Sequence, residues 1–309
     1  MSRSVSPGSA AARWLEPLSL LAAAGIGIGS IFPVAKLAGL AGLPPLAFAG
    51  GIALVAALVL RLAGRLSGGG GTPVPPKVAW TYAAVAGPLT FAPFGLVAIA
   101  VPHVGAGVQA LLQSLVPAIT VAMAMAIGYE RPGRRRAAGL ALGFVGAVLI
   151  VASRFSGFDA PPAVWMAVSL AVPVILAAGN VFRSLRWPAG AGVLEMATPT
   201  LLAAAVLLLA GEGLLELTGL SLATGAFDPV VAAGLVLGQG ILTGGGYICF
   251  FRLQQVGGPI FLSQISYVNA AVGMGIAVLL LGEHLELGTL AGALVIVVSL
   301  FIVGKPAPR

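Results

Sequence analysis

Charged residues are scarce in this chain of 309 residues. They make up 8% of the sequence, hydrophobic residues make up 59%, and the mean hydropathy is +1.07. A soluble domain is about 25% charged. So few charges do not cover a water-facing surface of this size, which excludes a soluble two-domain protein. The apolar segments are apolar on all sides instead of alternating, so we expect an all-α integral membrane protein.

Cysteine and histidine are nearly absent, which narrows the chemistry. The single cysteine, Cys249, rules out an intramolecular disulfide. The two histidines, His103 and His284, are far apart, and neither has a nearby Ser, Asp or Cys at a spacing that would serve a metal or a nucleophile. The glycine-rich GIGIGS follows no strand and is not a phosphate-binding loop. We therefore expect no metal, no cofactor and no enzymatic activity.

Long apolar runs, separated by Gly/Pro clusters and charges, fill most of the chain. Because a spanning helix needs roughly 20 residues, the runs predict ten transmembrane helices, and the connections leave no room for a soluble domain. The predicted segments are 18–40, 44–66, 77–100, 104–128, 136–153, 162–185, 191–213, 229–253, 259–281 and 286–304.

The basic residues predict the orientation. The net charge is +7 and the isoelectric point is near 10.3. With both termini cytoplasmic, all but Lys36 and Arg154 fall on the inner side, as the positive-inside rule requires. The inner set is Arg3, Arg13, Arg61, Arg65, Lys77, Arg131, Arg134, Arg135, Arg136, Arg183, Arg186, Arg252, Lys305 and Arg309. This excess reflects topology, so we expect no nucleic-acid partner.

The two halves of the chain resemble each other. HVGAGVQALLQSLVPAITVAMAMAIGYE (103–130) aligns with QVGGPIFLSQISYVNAAVGMGIAVLLLGE (255–283), and GSIFPVAK (29–36) aligns with GNVFRSLR (179–186). Each half holds five predicted helices. Because five is odd, the second copy enters the membrane upside down. We therefore predict two inverted repeats, 1–153 and 162–304, an arrangement typical of transporters with a central site between the repeats.

These motifs resemble the EamA-type carriers of the drug/metabolite transporter superfamily. The first half carries GSIFPVAK and then GYERPGRRRAAGLALGFVGAVLIV; the second carries GGGYICFFRLQQVGG and then SYVNAAVGMGIAVLLLGEHLELGTLAGALVIVV. The similarity covers nearly the whole chain and is nearest to bacterial amino-acid exporters, including those for aromatic amino acids. Two positions depart from the family pattern: Asn269 replaces a proline, and Arg186 stands opposite Lys36.

Polar side chains inside the predicted helices mark a candidate substrate site. An unsatisfied amide in hydrocarbon costs several kcal/mol, so these groups face the interior of the bundle. Aromatic faces and neutral hydrogen-bonding groups suit a small zwitterion with an apolar side chain. The substrate-binding candidates are Lys36, Tyr82, Gln109, Gln113, Trp165, Asn180, Gln239, Thr243, Tyr247, Ser263, Gln264, Tyr267 and Asn269.

Each candidate also has a structural interpretation. Polar side chains between helices often hold those helices together, and Tyr82 and Trp165 are also suited to a belt at the membrane surface. Lys36, near the outer end of the first helix, either attracts a substrate carboxylate or extends to the lipid headgroups. Glu130 and Glu283 are expected to pair with basic residues or to cap a helix.

The sequence favours an exporter of amino acids or related small metabolites, working as a monomer by alternating access in the cell inner membrane, surrounded by lipid. Proton-driven carriers keep an Asp or Glu deep in a spanning helix, and every acidic residue here is predicted near a helix end or in a loop. This pattern favours facilitated uniport. A proton-coupled exporter of drugs or hydrophobic cations is the alternative.

Overall fold

The computed structural model describes residues 7–66, 74–128, 133–155, 162–220, 222–223, 227–263 and 265–303. Every element in these residues is helical, and they contain no strand. Thirteen α-helices follow one another: α1 (Pro7–Gly29), α2 (Ile31–Leu40), α3 (Pro45–Leu66), α4 (Pro76–Thr90), α5 (Pro93–Val104), α6 (Ala106–Leu112), α7 (Val116–Ala126), α8 (Arg134–Phe155), α9 (Ala163–Arg186), α10 (Val193–Leu217), α11 (Pro229–Ser263), α12 (Ile265–Leu279) and α13 (Leu287–Val303).

Seven helical stretches within the described residues are long and apolar enough to cross a membrane. They are Glu16–Leu40, Pro45–Leu66, Pro76–Val104, Ala106–Ala126, Ala163–Arg186, Val193–Leu217 and Pro229–Leu253. Each coincides with one of the predicted segments. The other three predicted spans fall on shorter apolar helices, Ala137–Ile150, Ile265–Leu279 and Leu287–Ser299, so the prediction of ten spans stays a prediction.

Three of the spanning stretches are interrupted near their middle. Ser30 separates α1 from α2, and Phe91 with Ala92 separates α4 from α5. A 3₁₀ turn, Gln113–Leu115, separates α6 from α7. The α4–α5 break lies between Pro88 and Pro93, and proline both removes a backbone donor and obstructs the preceding turn. Such breaks are tolerated in a membrane where other protein groups surround the freed backbone.

Small residues bring the helices close together around a core of buried rings. The largest buried side chains include Phe32, Phe48, Phe91 and Phe251. Gly27 and Gly29 bring α1 against α11 and α12: a Cβ on Gly27 would lie 2.5 Å from the Leu242 carbonyl oxygen, and one on Gly29 would lie 2.7 Å from the Asn269 Cα. We call the end of the bundle with Lys36 and Glu283 the Lys36 end, and the opposite end the Arg61 end.

Candidate functional site

The break between α4 and α5 places polar groups of α9 beside it. Gly179 of α9 lies directly against the break, since a Cβ there would be 2.5 Å from the Leu89 carbonyl oxygen. Asn180 and Arg183 follow on the same face of α9, because residues three apart in a helix are neighbours. The close approach at Gly179 therefore sets both side chains against Thr90, the last residue of α4.

Arg183 is a buried cation, with 2% of its surface exposed. Its Nη1 donates to the Thr90 Oγ1, and its Nη2 donates to the Asn180 Oδ1, each at 2.5 Å. Its guanidinium also lies 5.3 Å from the centre of the Phe250 ring, within the range of a cation–π contact. The Nε of Arg183 has no partner among the described residues.

Aromatic rings from α4, α9 and α11, from the α4–α5 break and from the segment after α9 lie around Arg183. The rings of Tyr82 and Phe182 are 5.6 Å apart, and those of Tyr82 and Trp187 are 6.0 Å apart. The Tyr247 ring lies 5.3 Å from Phe250, and the Tyr247 hydroxyl donates to the Thr90 carbonyl at 3.4 Å. The Tyr82 hydroxyl is buried without a partner among the described residues. We call this set the Arg183 cage: Tyr82, Thr90, Phe91, Asn180, Phe182, Arg183, Trp187, Tyr247 and Phe250.

A second group of buried polar side chains lies nearer the Lys36 end. Gln109 and Gln113 are 0% and 2% exposed, and Ser169 of α9 is 0% exposed. Both amide atoms of Gln109, the Gln113 Nε2 and the Ser169 hydroxyl have no hydrogen-bond partner among the described residues. We call these three residues the glutamine cluster. Most buried polar groups in proteins are paired, so these atoms need a ligand or water to complete their hydrogen bonds.

The cage and the glutamine cluster lie along one interface between helices. Ser169, Asn180 and Arg183 fall on one face of α9 by helical spacing, and α7 packs on α9. The Asn180 amide donates to the Thr120 Oγ1 of α7 at 3.3 Å. A polar stripe therefore follows the contact between the Ala106–Ala126 stretch and α9 from one cluster to the other.

Other predicted candidates are used to hold helices together. The Gln239 Nε2 donates to the Gly27 carbonyl at 3.1 Å and to the Thr243 hydroxyl at 3.0 Å, and its oxygen accepts from Ser30 at 3.1 Å. With its nitrogen facing α1, the Asn269 amide donates to the Gly25 carbonyl at 3.1 Å. These bonds join α1 to α11 and α12 and leave few free donors for a substrate.

Lys36 is paired with a carboxylate. Its Nζ lies 2.7 Å from the Glu283 Oε1, and the backbone N–H groups of Ala106 and Gly107 donate to the same carboxylate at 3.0 and 2.9 Å. Gly105, with φ of 87°, turns the chain so that the start of α6 faces Glu283. Burial raises the pKa of Glu283, but the Lys36 ammonium and the two N–H groups outweigh it and hold that pKa below its usual value.

The remaining predicted residues show weaker connections to the two clusters. Trp165 is half-buried and stacks on His103, with ring centres 3.9 Å apart, at the Lys36 end. Tyr267 is half-buried on α12. Ser263 ends α11, but its side chain lies outside the described part of the structure, as does all of Gln264.

Two residues correct the sequence analysis. Arg183, assigned there only to the topology set, is the centre of the cage. Glu212, expected near a helix end, does lie in the last two turns of α10, but it is buried, with 5% of its surface exposed and its Oε2 unpartnered among the described residues. The chain therefore does carry a buried carboxylate. The described residues contain no group of three His, Cys, Asp or Glu side chains that could hold a metal ion.

A groove of about 690 Å³ opens at the Arg61 end, between α3, α4, α10 and α11. Arg61, Arg65, Arg252 and Glu195 supply its charged lining. Ala79 lines the groove and also packs against the cluster that contains Tyr82 and Trp187. The groove therefore reaches the neighbourhood of the Arg183 cage from that end of the bundle.

Comparison with known proteins relates part of the sequence to a transporter family and the fold to solved structures. Residues 16–152 match the model of the EamA-like transporter family. Seventeen chains of solved structures match the fold. One, described only as "Crystal structure of protein", has a TM-score of 0.65 and 18% identity over 92% of this chain and 94% of that chain. No curated protein matches the sequence.

Proposed function

We propose that this chain is a membrane transporter that exports amino acids with aromatic or other apolar side chains, or related metabolites; the match of residues 16–152 to the EamA-like transporter family supports the transport of small molecules. Export proceeds by alternating access and facilitated uniport in the cell inner membrane. The observation that carries this proposal is the glutamine cluster, because fully buried amides without partners are costly unless a ligand completes them.

The pattern of helix packing supports two inverted five-helix repeats. Taking the interrupted stretches as single spans gives ten spans, and the repeat pairs span one with span six, two with seven, and so on. If each span is replaced by its partner in the other repeat, the packing of α1 on α11 corresponds to the packing of α9 on α4 and α5. The contact of α1 with α12 likewise becomes that of α9 with α7, while α3–α10 and α8–α13 map onto themselves. The repeats 1–153 and 162–304 thus account for every one of these packed pairs.

The charged ends support an inward orientation of the Arg61 end. Arg61, Arg65 and Arg252 lie there, as the positive-inside rule places them. In this orientation the groove of about 690 Å³ opens to the cytoplasm, while Lys36 and Glu283 join α2 to the connection after α12 on the outer side. The structure then corresponds to a state whose outer end is closed and whose inner end leads toward the cage.

Uptake into proteoliposomes tests the proposal. The purified protein should mediate saturable entry of labelled phenylalanine, tryptophan, methionine or threonine whether or not a pH gradient is imposed. Empty liposomes give the background. If no amino acid enters above that background, while lipophilic cations move in response to a pH gradient, the proposal is wrong.

A proton-coupled exporter of drugs or hydrophobic cations is the second candidate, and Glu212 favours it. The Glu212 carboxylate is buried, with its Oε2 unpartnered among the described residues, and a carboxylate inside a spanning helix is the group that such carriers use to bind a proton. If transport is coupled, an imposed pH gradient should drive accumulation in the wild type, and Glu212→Gln should abolish the accumulation but leave downhill exchange. If transport is uncoupled, the variant and the wild type should respond to the gradient alike.

A further inference from the structure

Among the residues whose burial the structure describes, Arg183 is the only fully buried cation, and it forms no ion pair with a described carboxylate. The ion pairs that join described residues are Lys36–Glu283 and Arg252–Glu16, and Arg183 takes part in neither. The Arg252–Glu16 pair is half exposed at both side chains. Buried charges in membrane proteins pair with one another or mark the path of a substrate, so Arg183 is unusual in having only neutral neighbours.

The neutral neighbours hold the guanidinium in place without neutralising it. Thr90 and Asn180 each accept one hydrogen bond from it, and the Phe250 ring covers one side. These contacts fix the direction of the Nε–H, and Nε is the one guanidinium nitrogen that has no partner among the described residues. The planar guanidinium is suited to a carboxylate because it presents several donors in a fixed geometry.

A second unpartnered donor belongs to the same cage. The Tyr82 hydroxyl is buried and has no acceptor among the described residues, and the Tyr82 ring packs against Phe182, the neighbour of Arg183 in the chain. The two donor atoms of the cage without a partner are therefore the Arg183 Nε and the Tyr82 hydroxyl oxygen. A carboxylate, with two acceptor oxygens, would satisfy both without breaking the bonds to Thr90 and Asn180.

From this geometry we infer that the Arg183 cage binds the carboxylate of the transported molecule, with its aromatic or apolar portion against the rings of Phe91, Tyr247 and Phe250. The inference rests on the proposed transport of amino acids and specifies which charged group of the substrate is recognised, and where. The attraction of the substrate carboxylate then belongs to Arg183, whereas Lys36, for which the sequence left open a substrate carboxylate or the lipid headgroups, is already neutralised by Glu283.

The cation of the site is present in the second half only. In the alignment of 29–36 with 179–186, Arg183 stands opposite Pro33, so the first half has no counterpart for the cation. The groove at the Arg61 end reaches Ala79, which packs with Tyr82. A substrate from that side would therefore meet the carboxylate site first and the glutamine cluster afterwards.

Three ligands that share a phenyl ring test the inference by binding to the purified full-length protein. L-Phenylalanine has both charged groups, 3-phenylpropionate has only the carboxylate, and phenethylamine has only the amine. We expect the first two to bind, and Arg183→Gln to weaken both by at least about tenfold, because a hydrogen bond to a charged group is lost. Arg186→Gln, an exposed arginine on the same helix, is the matched control and should leave both affinities unchanged.

Tyr82→Phe keeps the test valid if Arg183→Gln does not fold. This variant removes only a hydroxyl that has no partner, so the fold should be retained, and both carboxylate ligands should still bind several-fold more weakly. Wild-type affinity for 3-phenylpropionate in folded Arg183→Gln would overturn the inference and leave the transport proposal standing. Binding of phenethylamine alone would contradict both. Absence of binding by all three would overturn the inference, and transport assays would then decide the proposed function separately.

Discussion

Buried polar side chains in this protein fall into two kinds. Gln239 and Asn269 have their hydrogen bonds satisfied by the backbone or by side chains of neighbouring helices. Gln109, Gln113 and Ser169 are equally buried and have atoms without partners. The first kind stabilises the bundle, whereas the second kind costs stability, and under the proposed function a bound substrate recovers that cost. The two kinds give opposite expectations for the same substitution.

Replacing glutamine by leucine distinguishes them. Gln113→Leu should keep or raise the thermal stability, because an unpartnered amide is removed, and should reduce amino-acid transport at least tenfold. Gln239→Leu should lower stability by about 1–3 kcal/mol, because Ser30 and the Gly27 carbonyl lose their partner in a buried place. Thermal unfolding in detergent and uptake by proteoliposomes measure the two effects. A stable Gln113→Leu protein with normal transport would show that the cluster does not contact substrate.

Glu283 gives a pH dependence at the Lys36 end. Its pKa in the folded protein is below its usual value, which is about 4.3 in an unfolded chain. The unfolded state therefore binds more protons in that range, so the stability from this group is complete above it and is lost as the pH falls through the folded pKa. We expect acidification from pH 6 to pH 3 to lower the melting temperature more in the wild type than in Glu283→Gln.

The comparison isolates Glu283 because the other acidic residues are the same in both proteins. Lys36→Gln should show the same reduced pH response, since it removes the other half of the pair. Equal shifts of melting temperature in the wild type and in Glu283→Gln would contradict the assigned role of the carboxylate.

At the scale of helices, the structure combines close contacts with breaks. The contacts of α1 with α11 and α12 depend on Gly27 and Gly29, where backbone meets backbone. The breaks at Phe91 and Ala92 and in the 3₁₀ turn Gln113–Leu115 lie beside polar groups of the site, whereas Ser30, at the third break, donates to Gln239. Under the proposed alternating access, helices interrupted near the middle can move as half-length pieces.

A methyl group at Gly29 tests the close contact. Its Cβ would lie 2.7 Å from the Cα and 2.8 Å from the carbonyl oxygen of Asn269, and backbone atoms cannot move aside as a side chain can. We expect Gly29→Ala to lower the melting temperature although alanine favours a helix. Gly275→Ala on α12 is the control: its Cβ would meet nothing within 4 Å, so the helix should gain up to about 1 kcal/mol. Equal stability of the two variants would contradict the proposed packing.

Helix positions could be predicted from the sequence much better than the site. Apolar runs of about twenty residues determine a spanning helix, so seven predicted segments coincide with the stretches in the structure. Arg183 was missed because the positive-inside rule counts the basic residues on each side of the membrane and does not distinguish a buried arginine from an exposed one. Its position one turn after Asn180, on the face that carries Ser169, is the signal that could have found it. The burial of Glu212 depends on packing between helices that are distant in the sequence, and a hydropathy profile does not describe that packing.

At the scale of the whole molecule, the account requires a fixed orientation with the Arg61 end in the cytoplasm. Single cysteines test it after replacement of Cys249 by serine. Arg65 and Glu216 are both exposed, at the ends of α3 and α10 that the proposed topology places on opposite sides. In intact cells an impermeant maleimide should label Glu216→Cys, and should label Arg65→Cys only after the membrane is permeabilised. The reverse pattern would contradict the orientation.

Counterflow of labelled phenylalanine in proteoliposomes tests the central claim, that this chain is a facilitated carrier of amino acids, most directly. Unlabelled phenylalanine inside the vesicles should accelerate entry of the labelled amino acid and produce a transient overshoot, with or without a pH gradient and equally in Glu212→Gln. Absence of counterflow in the wild type, together with accumulation of a lipophilic cation driven by a pH gradient and lost in Glu212→Gln, would contradict the account and establish the proton-coupled alternative.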